Sequence, residues 1–574
     1  VKGETMHRHR FVFFTFALSA AFALQGCTAS EKKTAVSACR TCAAEQPMQQ
    51  GKFEPTWQSL SQYEPPDWFR DAKFGIWAHW GPQCAPEYGD WYARNMYIEG
   101  HDQYRYHVSK YGHPSKFGFK DVINTWKAEN WDPDKLVALY KRVGAQYFVA
   151  LANHHDNFDN YKNKYQPWNA AAIGPQKDLI AGWAKAAAKN GLRFGVSVHA
   201  SHAWIWYEPA QGADTAGPYA GVPYDGTLTI ADGKGLWWEG LDPQDLYAQN
   251  HPRSADAGDP GAIHRQWNWG NGASIPDAAY CTKFYNRTVD LINRYKPDLI
   301  YFDDTALPLT PVSDAGLKIA AHYYNRSIKQ HHGRLEAVIT GKMLTDDQRR
   351  CMVWDIERGQ SNQIEPLPWQ TCTCLGNWHY DRRIYDRHAY KSAATVVRML
   401  VDIVSKNGNL LLSVPLRSDG TLDSQEEQIL EEIAAWMDVN KQSILATRSW
   451  HVFGEGPSLQ DAAPLRGVGF NEGQNKPYTW QDVRYTASKD GRTLYVFLMG
   501  RPQAGQKITL QKLKALPLPA GAAVRLLGYE GTIFWYTDEE GRLTLFWPAQ
   551  MEPRNIDEYA CVFQLSGFEL KVKE

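Results

Sequence analysis

Tyr147-Phe148-Val149-Ala150-Leu151, followed after Ala152 by Asn153-His154-His155-Asp156, is the stretch from which the fold can be read. Five apolar residues in a row, without polar alternation, describe a strand covered on both faces. Just before it, Asp132-Pro133 caps and starts a helix with Leu136, Val137 and Tyr140 on one face, and Gly144 stops it. The unit recurs. A helix around Leu179–Lys189 stops at Gly191 and feeds Phe194–Val198, and another around Thr282–Tyr295 stops before Pro297 and feeds Leu299-Ile300-Tyr301-Phe302. Phe74–Ala78, Ala337–Thr340, Met352–Trp354 and Leu410–Val414 are further strand candidates. Helices alternating with continuous apolar strands predict an α/β fold with a parallel sheet. The candidate strands run into His79, His154-His155, His199, Asp303-Asp304, Lys342, Asp355 and Glu357. A (β/α)8-type, TIM-like barrel places its active-site groups at those C-terminal strand ends. An open doubly wound sheet is the rival, but no glycine-rich phosphate loop follows any strand.

The chain has 574 residues, 43% hydrophobic and 22% charged, and a net charge of −1. That balance supplies a large core and removes the electrostatic case for nucleic acid. Twenty-three Trp and 30 Tyr exceed ordinary core needs and suit the flat apolar faces of sugar rings. Residues 1–27 read as a signal peptide: basic Met6–Arg10, apolar Phe11–Leu24, then Leu24-Gln25-Gly26-Cys27, which resembles a bacterial lipobox. Export to the periplasm, or to the outer membrane through a lipid on Cys27, is the expected location and the one expected membrane link. Residues 28–52 read as a tether, 53–445 as the barrel and 446–574, rich in short β-type runs, as a C-terminal antiparallel β-sandwich.

Ser424 with Glu427 reads as a capping box for the last barrel helix. An insertion at 203–280 holds Trp204, Trp206, Tyr207, Trp237, Trp238, Tyr247, Trp267 and Trp269. It is expected either to wall the barrel mouth or to pack on itself. Of the nine cysteines, Cys39-x-x-Cys42 lies in the tether and Cys372-x-Cys374 has the wrong spacing for a common zinc site. The cysteines read as buried thiols or one or two disulfides; no metal or cofactor is expected.

Lys73-Phe74-Gly75-Ile76-Trp77-Ala78-His79-Trp80-Gly81-Pro82 and Trp91-Tyr92-Ala93-Arg94-Asn95-Met96-Tyr97 resemble the opening motifs of glycoside hydrolase family 29, the α-L-fucosidases. The resemblance continues through Gly144–Phe148, His154–Phe158, Tyr295–Asp303, Val404–Leu412 and Asp419-Gly420-Thr421, in the family's order. It implies a retaining exo-enzyme acting on terminal α-L-fucose of oligosaccharides or polysaccharides. Retention needs two carboxyl groups. The family's nucleophile falls on Asp303. Where many members carry a Glu after a Pro-Trp motif, Pro368-Trp369 is followed by Gln370, which cannot cycle a proton. Glu357 is therefore chosen as acid/base, with Glu365 as competitor and Asp355 third. The resemblance makes His79, His154, His155, Asp90 and Trp91 sugar contacts, with Asp90 shorter than the family's usual Glu. His199 and Lys342 stand where a Tyr and an Arg are more common. α-L-Galactosidase activity and a non-catalytic glycan-binding lipoprotein are the alternatives.

Overall fold

The structure is a computed structural model, and it describes residues 44–573 apart from 260, 461, 466–468, 519, 520 and 553. The signal segment, Cys27 and the tether as far as residue 43 lie outside the described residues. Eight parallel strands close a barrel in chain order. They are β1 (Phe74–Ala78), β2 (Tyr147–Asn153), β3 (Arg193–Val198), β4 (Leu299–Thr305), β5 (Val338–Lys342), β6 (Val353–Glu357), β7 (Trp369–Cys374) and β8 (Gly408–Ser413). Seven were anticipated. The eighth, β7, reads Trp-Gln-Thr-Cys-Thr-Cys and carries no aliphatic run, yet every residue in it is buried. Its polar groups are satisfied inside the barrel: Tyr147 Oη donates to Gln370 Oε1 at 2.9 Å, and Gln370 Nε2 donates to Asp355 Oδ2 at 2.7 Å. Tyr147 lies hard against β1, where a Cβ on Gly75 would meet its ring at 2.4 Å.

Local chemistry sets the element boundaries. The Asp132 carboxylate accepts from the Lys135 N–H to open helix Pro133–Arg142, and Gly144 follows that helix with φ 105°. The last barrel helix, Ser424–Asn440, is capped one residue earlier than expected. Asp423 accepts from the N–H groups of Gln425 and Glu426, and Glu426 returns the bond, so Ser424 is already helical. A second correction concerns the tether. Residues 44–52 are anchored: Gln46 bonds both the side chain and the carbonyl of Asn286, the Gln49 N–H donates to His322 Nδ1, and Met48 packs on the barrel core. A polar composition hid these anchors because most of them are hydrogen bonds to Asn286 and His322, with Met48 alone packing on the core.

Beyond the barrel, five antiparallel strands (Arg448–Glu455, Val483–Ala487, Thr493–Leu498, Ala523–Leu526, Cys561–Ser566) and four more (Lys507–Pro517, Trp535–Thr537, Arg542–Phe546, Phe568–Val572) form two sheets. One apolar core, with Tyr485, Val496 and Phe563 from the first and Leu513, Leu543 and Leu545 from the second, joins them. The junction with the barrel includes a buried charge cluster, with Asp402 at 2.6 Å from both Lys406 and Arg484. Cys84, Cys281, Cys351, Cys372, Cys374 and Cys561 are buried free thiols.

Candidate active site

Alternation along a strand sends every second side chain into the barrel, and at the C-terminal strand ends these side chains open onto a cavity of about 230 Å³. Trp77 and His79 come from β1 and the residue after it, Tyr301 and Asp303 from β4, Lys342 from β5 and Glu357 from β6. Asp90, His154, His199, Trp378 and His379 complete the inner part, and Trp91, His264, Trp267, Met343 and Phe470 surround its opening. Eight of the nine expected site residues therefore share one cavity. His155, the ninth, stands behind Asp303 and holds it.

Asp303 is fixed on both oxygens. His155 Nε2 and His199 Nδ1 each lie 3.1 Å from Oδ2, and Lys342 Nζ donates to Oδ1 at 2.5 Å. Burial alone would raise the pKa of this carboxyl; the Lys342 ammonium and the two imidazole hydrogen bonds outweigh it and hold the group well below the usual carboxylate range. The same ammonium also bonds Glu357 Oε2. Burial opposes the charge on Lys342, but its two carboxylate partners hold its pKa well above the ordinary lysine value.

The histidines read as neutral hydrogen-bonding groups. Burial pushes His199 down to about 4 against the opposing pull of Asp303. With Nδ1 donating to the carboxylate, its buried Nε2 is an acceptor without a protein partner. Burial, helped by neighbouring histidines, lowers His79 and His154 well below 6.5. Gln83 Nε2 donates to His154 Nδ1 at 2.7 Å, which leaves Nε2–H of His154 as a donor, and both ring nitrogens of His79 are unpartnered among the described residues. Neutral imidazoles with spare donors and acceptors against Trp77 and Tyr301 suit a ring with hydroxyls on one side and an apolar face on the other.

Asp90 does not simply extend into the cavity as a free acceptor. It takes the N–H groups of Trp378 and His379 at 3.2 and 2.6 Å, and so ties the loop after β7 to the site. Glu365 lies outside the cavity, bonded by Ser361 Oγ at 2.5 Å with Arg349 3.6 Å away. Asp355 is two residues below Glu357 on β6, sealed in the barrel, and its burial raises it to about 6. Gln370 sits beside it, a full layer beneath the two mouth carboxylates.

Two triads bring ligand-type atoms within 4.8 Å of one another, His79-His154-His199 and His155-His199-Asp303. The adjacent residues His154 and His155 fall into different triads that share His199, but they lie in a turn past β2 with ring centroids 4.4 Å apart, so the opposite faces expected of an extended segment do not describe them. The second triad is bonded internally through Asp303.

A family model described as α-L-fucosidase matches residues 40–442, and one for the α-L-fucosidase C-terminal domain matches residues 474–566. The chain belongs to the α-L-fucosidase family. It is thereby a glycoside hydrolase of family 29. It is 23% identical over 536 residues to the tissue α-L-fucosidase of Bos taurus, spanning 90% of this chain and 92% of that protein. It is 24% identical over 515 residues to the plasma α-L-fucosidase of Homo sapiens, spanning 87% and 89%. The crystal structure of Thermotoga maritima α-fucosidase in complex with fucose superposes with a TM-score of 0.61 at 23% identity, covering 89% of this chain and all of that one. Neither L-galactose specificity nor a purely binding role draws support from these relatives.

Sequence reasoning missed several lining residues of this family member. Trp77 and Tyr301 were available by stepping two residues back from His79 and Asp303. Trp378 and His379 follow the one strand that composition concealed. Phe470 comes from the C-terminal region, where the sequence carries no signal of a site. The insertion does both things expected of it: Trp206, Tyr207, Tyr247 and Trp269 are buried, while Trp267 lines the opening.

Proposed function

We propose that the protein is a retaining exo-α-L-fucosidase that removes terminal α-L-fucose by double displacement, with Asp303 as nucleophile and Glu357 as acid/base. The observation that carries this reading is the single ammonium bonded to both carboxylates. With Lys342 Nζ 2.5 Å from Asp303 Oδ1 and bonded as closely to Glu357 Oε2, the two bridged oxygens lie no more than about 5 Å apart. That fits the roughly 5–5.5 Å of retaining enzymes and falls short of the roughly 6.5–9.5 Å that leaves room for an inverting water. Asp303, ionised and held on both oxygens, attacks the anomeric carbon while Glu357 gives its proton to the departing glycosidic oxygen. Water then enters, Glu357 takes its proton as the water oxygen bonds to the anomeric carbon, and the bond from Asp303 to the sugar breaks to regenerate the carboxylate. The neutral nitrogens of His79, His154 and His199 read the hydroxyls, and Trp77 and Tyr301 meet the apolar side of the ring.

Hydrolysis of 4-nitrophenyl α-L-fucoside, followed by proton NMR of the first-formed sugar, tests the proposal. α-L-Fucose appearing first supports it; β-L-fucose first, or turnover of the α-L-galactoside alone, refutes it. We further propose export and lipid anchoring through Cys27, on the strength of the sequence from Met6 to Cys27. Metabolic labelling with palmitate is expected, together with its loss in Cys27→Ser; equal labelling of the two proteins refutes the anchor.

A further inference from the structure

The cavity has two zones of different character. Its floor is buried and holds the polar groups beside Trp77 and Tyr301: His79, His154, His199, Lys342 and His379 expose at most 6% of their surface. Its opening is apolar and aromatic. Trp91 and Trp267 are half-buried, and Met343 and Phe470 each expose 41%. Trp91 and Trp267 lie nearly parallel, 14° apart in plane with centroids at 6.2 Å, and His264 stacks on Trp91 at 5.4 Å. Trp267 is tied to the chemistry beneath it. Its ring meets His155 edge-on at 4.8 Å, and its carbonyl accepts from Thr305 Oγ1, two residues past Asp303, at 3.1 Å.

Phe470 belongs to the C-terminal region and reaches the site beside an isolated bridge to β6. Gly469 bridges Glu357 in parallel register, and the Phe470 N–H donates to the Glu357 carbonyl at 3.0 Å. Gly469 has φ 130°, and a Cβ there would lie 2.5 Å from that carbonyl, so only glycine allows the approach. Asn471 accepts from the Gln360 N–H at 2.8 Å, and Arg358 donates to Glu472 at 3.1 Å. The segment is thus registered residue by residue on the strand end that carries Glu357. Trp91, Met343 and Phe470 all have positive φ, at 62°, 53° and 53°. Side-chain-bearing residues adopt that conformation uncommonly, and it clusters at functional sites.

We propose that this opening is a leaving-group subsite for a neutral pyranose, built by Trp91, the insertion's Trp267 and His264, and Phe470 contributed by the C-terminal region. The assignment rests on the reading of Asp303 and Glu357 above. If Glu357 protonates the glycosidic oxygen, the departing sugar must lie beside Glu357 and outward of the floor, and that is where these rings stand. Aromatic faces supply the stacking that a pyranose needs. None of the opening residues carries a fixed charge, and Asp90 and Lys342 are already paired, so an uncharged sugar fits better than a sulfated or sialylated one. The C-terminal region thereby takes part in choosing the aglycone as well as buttressing the barrel.

The test compares α-L-fucosyl fluoride, whose leaving group has no ring, with a panel of neutral fucosyl disaccharides. For Phe470→Ala, the ratio of kcat/KM on the best disaccharide to kcat/KM on the fluoride is expected to fall about tenfold relative to wild type, the order of one lost aromatic contact. Phe470→Tyr should restore the ratio to within about threefold, and Trp267→Ala should lower it at least as far as Phe470→Ala. An unchanged ratio in Phe470→Ala overturns the proposal, whether both substrates are unaffected or both fall in parallel because the segment merely holds Glu357. A wild-type protein that cleaves the fluoride and no disaccharide overturns it too. Wild-type inertness toward the fluoride would instead sink the underlying fucosidase reading.

Discussion

Two carboxyl sites, a pair and a single group, lie one layer apart inside the same barrel in opposite surroundings. In the upper one, Asp303 and Glu357 face an open cavity and share the Lys342 ammonium. In the lower one, Asp355 is sealed, hydrogen-bonded by Gln370 Nε2 and the Cys372 thiol, and burial raises it to about 6. Asp355 and Glu357 are both carboxylic acids, two positions apart on one strand. What separates them is a buried cation and access to solvent. Environment sets the two sites apart: the upper pair is arranged around a shared cation, as the proposed chemistry needs, and the lower group is a packing element.

The sharpest way to break this contrast is to remove charge from each layer in turn. Asp303→Asn is expected to lower kcat/KM on an aryl fucoside by about 10⁴-fold, as loss of a nucleophile does; a loss under tenfold would dissolve the distinction. Glu357→Ala should cost about 10²–10⁴-fold on substrates with poor leaving groups, much less on activated ones, and be rescued by azide. Rescue of Glu365→Ala and not of Glu357→Ala would move the proton donor outside the cavity. Lys342→Met should cost about 10²-fold, because the cation that organises both carboxylates goes with it. Asp355→Asn, one layer down, should cost less than about tenfold.

Stability against pH distinguishes the layers by sign. The folded Asp355 carboxyl holds its proton to about 6 against an ordinary value of 3.8. Its contribution is therefore fully present below 3.8 and is lost as pH rises to 6. That loss is worth about 3 kcal/mol, so Asp355→Asn should gain on wild type by up to about that much between pH 4 and 7. Asp303 lies below the ordinary value, so its stabilisation is present above 3.8 and is lost as pH falls through the folded value. Its Asn variant should not gain on wild type over the same range. Melting temperatures across pH 4–7 read both effects, and slopes of the same sign would contradict the contrast.

The barrel was legible because seven strands are apolar runs, six of which lead into titratable residues. The eighth was not, since β7 replaces apolar burial with side-chain hydrogen bonds to Tyr147 and Asp355, and periodicity does not register those. The same blindness hid Trp378 and His379, which follow β7, and the anchoring of residues 44–52 through Asn286 and His322. Asp303 and Glu357 were legible as strand-end carboxylates. Lys342 appeared in the sequence as one more sugar contact; its bridge between the two carboxylates depends on β5 lying between β4 and β6, which only the closed sheet fixes. Phe470 is separated from Glu357 by more than a hundred residues, and its approach depends on one glycine that composition does not single out.

The most direct test is to trap the enzyme-bound sugar with 2-deoxy-2-fluoro-α-L-fucosyl fluoride and map the adduct by peptide mass spectrometry. A single fluorofucosyl ester on Asp303, absent from Asp303→Asn, is the predicted result. An adduct on any other side chain, or steady turnover of fucosides to the inverted sugar with no adduct formed, would contradict the assignment.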